Sequence, residues 1–96
     1  VYKRQTLYGA EAKYLSAQLM YNAGEYAAAE KEILNFIDQS TPHAYWLARS
    51  FILLSDVYVA MDKKLDARQY LLSLQQNYHA DDDIERMIQE RLEKLK

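Results

Sequence analysis

Residues 45–61 read YWLARSFILLSDVYVAM, a run that fits a helix about 25 Å long at 1.5 Å per residue. At 100° per residue, Leu47, Phe51, Leu54 and Tyr58 share one face, Trp46, Leu53 and Val57 a second, and Ile52 and Val59 a third. A helix that is apolar on several sides must be covered on several sides, so this one belongs in the middle of a helical stack. One narrow line stays polar, through Arg49 and Asp56, two turns apart with Tyr45 beside them. That line is the candidate functional surface.

Working outward, residues 6–22 carry Leu7, Ala10, Tyr14, Ala17 and Tyr21 at spacings of three and four, the helical period. Gly24 follows where helices commonly end in a left-handed residue. Tyr26, Ala29, Ile33, Phe36 and Ile37 then form the stripe of a second helix, and the short connection folds it back on the first. In Ser40-Thr41-Pro42, Thr41 suits an N-cap and Pro42 the first helical turn, so the central helix is expected to begin at Pro42. Beyond a charged turn at residues 62–64, Ala67, Tyr70, Leu71, Leu74 and Tyr78 mark a fourth helix. Asp81, Asp82 and Asp83 precede a fifth, whose face is Ile84, Met87, Ile88, Leu92 and Leu95. Apolar and polar residues nowhere alternate over a strand's length, and the fold class is all-α.

Composition narrows the function. The 96 residues fit one domain, 1–96, with roughly 60 to 70 % of its unfolded surface buried. Half the residues are hydrophobic and the net charge is −2. Lys and Arg are scattered among the acids, so the concentrated positive field that binds phosphate backbones is missing and no nucleic-acid partner is expected. There is no cysteine, which excludes disulfides, thiolate metal sites and cysteine nucleophiles. The most apolar helix contains Arg49 and Asp56 and is shorter than the roughly 20 residues that span a bilayer, so no direct membrane insertion is expected. Beginning at Val1 without a leader pattern, the chain reads as an excised or mature segment.

The chain also repeats itself. A slide of 38 residues lays Ala29 on Ala67, Ile33 on Leu71, Phe36 on Leu74, Ala17 on Ser55 and Met20 on Tyr58. The small residues fall where two helices cross closely. These positions resemble the tetratricopeptide repeat: Ala17, Gly24, Tyr26, Ala29 and Ile33 in a first unit (about 6–40), and Phe51, Leu54, Ser55, Tyr58, Ala67 and Leu71 in a second (about 42–78). Residues 82–96 look like the helix that often closes such arrays. Lys13 and Ser16 stand where the family usually has bulky apolar residues, Phe36 and Leu74 where it usually has a small one, the second turn lacks Gly, and the period is four residues too long, with the excess assigned to residues 42–45. The chain is thus similar to a degenerate, extended-helix member, and its wording looks like tetratricopeptide proteins of Bacteroidetes-type bacteria, many of them associated with the cell envelope.

The resemblance implies a right-handed α-α superhelix fragment with a concave groove on the first helix of each unit, holding a peptide or protein segment. Carried over by position, the groove would show Glu11, Tyr14, Gln18, Tyr21 and Asn22, then Arg49, Ile52, Leu53, Asp56 and Ala60. Tyr and Arg are common interface anchors. The plainer account is that Tyr14 and Tyr21 pack on the third helix while Arg49 and Asp56 pair with neighbours. The family's clamp for C-terminal carboxylates uses Lys and Asn, and Tyr14, Gln18 and Leu53 hold those places here, so that specialised role is not expected.

Other features read as structural. Trp46 is expected in the core against Ile33 or Ile37, and the Asp81 to Asp83 run as a helix cap, since it lacks the alternating ligands and turn Gly of a calcium loop. His43 and His79 lack a second ligand at helical spacing, and Ser50 and Ser55 lack the strained turn that exposes a nucleophile. Neither a cofactor, a metal nor catalysis is expected. The sequence reading is a non-catalytic protein-binding or assembly module. Its alternative is a structural segment that stacks on further repeats or pairs as a homodimer, since two repeats fall below the three usually needed for independent stability.

Overall fold

The computed structural model describes residues 7–38, 44–80 and 82–95. Among them the chain is all-α, with α1 (Leu7–Asn22), α2 (Tyr26–Asp38), α3 (Ala44–Ala60), α4 (Lys64–Asn77) and α5 (Ile84–Lys94). Pro42, His43 and Asp81 lie outside the described residues, and with them the expected start of α3.

α3 packs against each of the other four helices. The reason is its all-round apolarity: Ala48, Ile52, Leu53, Leu54, Val57 and Tyr58 are all buried, and they point in different directions. The core divides accordingly. Tyr14 and Ala17 of α1, Ala29 and Ile33 of α2, and Leu53, Leu54, Val57 and Tyr58 of α3 form one cluster with Ala67 of α4. Ala48 and Ile52 form the other with Leu71 and Leu74 of α4 and Ile84 and Ile88 of α5. Each fully buried Ile or Leu contributes roughly 1.5–3 kcal/mol of hydrophobic stabilisation.

The 38-residue relation extends to the backbone. At the end of α1 the Gly24 N–H donates to Tyr21 O and the Glu25 N–H to Met20 O, at 3.0 and 2.9 Å. Thirty-eight residues later the Asp62 N–H donates to Val59 O and the Lys63 N–H to Tyr58 O, at 3.1 and 2.7 Å. Both are the paired bonds of a Schellman turn, with the left-handed residue at Gly24 (φ 82°) and at Asp62 (φ 63°). Ala29 and Ala67, also in register, are both fully buried, and the pairs Ile33 and Leu71, Phe36 and Leu74, and Ala17 and Ser55 are buried too.

The start of α5 differs from the expected cap in one detail. Asp82 caps it, its Oδ1 accepting from the Ile84 N–H at 3.0 Å. Asp83 sits at the N-cap position, where its side chain makes no cap hydrogen bond, and its carboxylate instead accepts from the Tyr45 hydroxyl of α3 at 3.0 Å.

Candidate functional site

The polar line of α3 runs between α1 and α5; at its Arg49 end charged and phenolic groups tie the three helices together, and at its Asp56 end an ion pair ties α3 to α5. At the Arg49 end, Nη1 donates to the Tyr45 hydroxyl at 3.0 Å and Nη2 to the Tyr14 hydroxyl of α1 at 3.2 Å. The Tyr45 hydroxyl in turn donates a hydrogen bond to Asp83 Oδ1 at 3.0 Å. The guanidinium lies 5.1, 5.7 and 5.8 Å from the ring centroids of Tyr14, Tyr45 and Trp46, an aromatic enclosure that favours a cation. Its Nε is buried and meets no acceptor. Burial works against the charged guanidinium, but the hydrogen bonds to Tyr45 and Tyr14 outweigh it and leave the group above its ordinary value.

At the other end, Arg91 of α5 grips Asp56 in a fork, Nε to Oδ1 and Nη2 to Oδ2, both at 3.0 Å. A third donor, Nη1, reaches Met87 O at 3.3 Å. Each side chain is about a quarter exposed, so the pair is screened only in part. Beside it opens a cavity of about 600 Å³. Tyr21 of α1, Asp56, Val59 and Ala60 of α3, Lys64 of α4 and Arg91 and Lys94 of α5 contribute to its lining. Tyr21's phenol is raised by burial first, then by the negative charge of Asp56 and by Tyr26, with Arg91 opposing.

The expected groove residues separate into two groups. Tyr21, Asp56 and Ala60 meet at the cavity. Glu11 and Gln18 are partly exposed and Asn22 is exposed, but they do not line it. Tyr14, Ile52 and Leu53 face the interior, at 5, 1 and 3 % exposure, a correction to their expected place on an open surface. The cause is the packing of α1 and α5 on α3, which covers both flanks of its polar line. Arg49 is partly buried with its fork turned onto Tyr14 and Tyr45. Trp46 joins the first core cluster from its edge, its ring 5.4 Å from Tyr14 and 5.3 Å from Tyr45.

Arg91, Lys64 and Lys94 were not anticipated. A signal for Arg91 exists in the sequence: it falls in phase with Ile84, Ile88 and Leu95, and a charge on an apolar stripe calls for an acid opposite. Lys64 and Lys94 carry no comparable signal.

The serines are engaged locally, Ser50 Oγ donating to Trp46 O at 2.9 Å and Ser55 Oγ to Ile52 O at 2.6 Å. Among the described residues no group of three or more His, Cys, Asp or Glu is placed to hold a metal, and no helix is long and apolar enough to cross a membrane. His79 is exposed against Gln76 O, and His43 lies outside the described residues. No family model, curated protein or solved structure matches the chain.

Proposed function

We propose that this chain is a non-catalytic protein-binding module of tetratricopeptide type, which holds a peptide or protein segment along the face shared by α1, α3 and α5. The observation that carries the reading is the cavity where Tyr21, Asp56 and Arg91 converge from those three helices. Its size falls within the roughly 300–1,000 Å³ of ordinary ligand sites, and its mixture of Tyr, Arg, Lys and small apolar side chains suits a polypeptide better than a metal or an apolar cofactor. The left-handed turns in 38-residue register and the small residues buried at Ala29 and Ala67 support the tetratricopeptide part of the reading.

On this reading Tyr21 supplies contact area at low entropic cost, while the Asp56 and Arg91 pair presents outer lone pairs and N–H groups to a backbone. Selection of displayed peptides on the folded chain, followed by amide chemical-shift mapping, tests it. Selected peptides should move resonances of Tyr21, Val59, Ala60 and Lys94, and Tyr21→Ala or Ala60→Arg should weaken their binding about tenfold or more with the helical signal kept. Shifts concentrated on the outer faces of α2 and α4 would defeat the proposal.

A further inference from the structure

α1 carries two apolar stripes. The first, Ala10, Tyr14 and Ala17, is buried against the rest of the fold. The second, Ala12, Leu15, Leu19 and Ala23, is exposed, with Leu15 at 47 % and Leu19 at 68 %. Among the described residues no helix covers this row, and contiguous exposed apolar surface is what interaction sites are made of.

The chain itself records what covers such a row. Thirty-eight residues on, the same register of α3 holds Ser50, Leu53, Val57 and Met61. Leu53 and Val57 are 3 and 0 % exposed, Ser50 is 1 % exposed, and Met61 packs at the edge of the first cluster. Leu53 and Val57 share that cluster with Tyr14 and Ala17 of α1 and Ala29 and Ile33 of α2, the hairpin that packs on α3. The two ends of the stack therefore differ. α5 turns Glu85, Arg86, Gln89, Glu90 and Lys94 outward and closes its end with polar side chains, as terminal elements of stacked arrays do. α1 closes nothing.

We infer that the Ala12, Leu15, Leu19 and Ala23 stripe is a docking face for one further helix hairpin of the same 38-residue kind, seated on α1 as the first hairpin is seated on α3. The inference is independent of the cavity reading, since the stripe and the cavity use different side chains.

A chain with a second copy of residues 7–44 inserted directly before Leu7 tests it, because that insertion preserves the 38-residue register. The added helices should fold, raising the helical signal per molecule and shifting the melting midpoint upward by about 5 °C or more. The pair L15K/L19K in the inner copy, where the new hairpin would sit, should abolish the shift. The same pair in the outer copy should leave it intact. An added hairpin that stays unstructured, or a shift equally sensitive to both pairs, overturns the inference. Sedimentation of the original chain distinguishes the other occupant: a concentration-dependent dimer dissolved by L15K/L19K would show that a second copy covers the stripe and would overturn the hairpin assignment, whereas a monomer at all concentrations agrees with it.

Discussion

Gly24 and Asp62 occupy the same place in two copies of one turn, both with left-handed backbone, although only one of them is a residue that adopts it without strain. A β-carbon built on Gly24 meets nothing within 4 Å, so the conformation alone sets the cost of replacing it. Gly24→Ala should destabilise by about 1 kcal/mol, and Asp62→Gly should stabilise by about 0.5–1 kcal/mol by removing the strain of a side chain at positive φ. Urea denaturation of the two variants checks both signs. An Asp62→Gly chain no more stable than the parent would mean that the Asp62 side chain contributes something the turn geometry does not show.

The fork between Arg91 and Asp56 joins helices 35 residues apart in sequence. Removing one partner leaves the other partly buried without its counter-charge, and each side chain is exposed by less than a third. Asp56→Ala and Arg91→Ala should each cost about 1–2 kcal/mol, with a double mutant costing clearly less than the sum. Strict additivity in that cycle would show the pair to be a bystander.

Ala29 and Ala67 are 0 % exposed at equivalent places in the two hairpins. Ala29→Leu and Ala67→Leu should each lose about 1–3 kcal/mol by overpacking, while Ala27→Leu, on the exposed side of α2, should be nearly neutral. Thermal melts of the three variants suffice. Similar melting for Ala27→Leu and Ala29→Leu would contradict the close approach of the helices.

Alkaline titration provides another check. Burial and then Asp82, whose Oδ2 accepts from the Tyr78 hydroxyl at 2.6 Å, push Tyr78 up to about 12. Burial, followed by Glu30, also raises Tyr58, and burial followed by Asp56 raises Tyr21. In each case the fold holds the phenolic proton more tightly than the unfolded chain does. Their contribution to stability is therefore complete below about pH 10, the ordinary tyrosine value, and drains away as the pH climbs above it, for Tyr78 towards 12. Tyrosinate absorbance followed with circular dichroism should show Tyr21, Tyr58 and Tyr78 ionising above the ordinary tyrosine value, together with loss of helix. A single transition near pH 10 with the helices intact would refute the assignment.

Much of the architecture was legible because helical period is written in side-chain type alone. The several apolar faces of residues 45–61 announced a central helix, and α3 does touch every other element. Gly24 announced its left-handed turn, whereas the turn at residues 62–64 was read from its charge alone, since an acidic residue at positive φ leaves no compositional trace. The site was less legible. Tyr14, Ile52 and Leu53 were expected on an open surface because position in a repeat says which helix face a residue occupies, not how far the neighbouring helices close over it. Tyr21 and Asp56, named from the sequence, do line the cavity, but Arg91 beside them lies 35 residues from Asp56, and pairings at that range are set by packing.

The placement of α3 has one more consequence. Arrays of repeats in general can fray from an end, each unit leaning only on its neighbours. Here every other helix rests directly on a single rod, so neither terminus can peel away without uncovering it. At this length the molecule should lose its structure in one concerted step, with the amides of Leu53, Leu54 and Val57 the last to exchange with solvent.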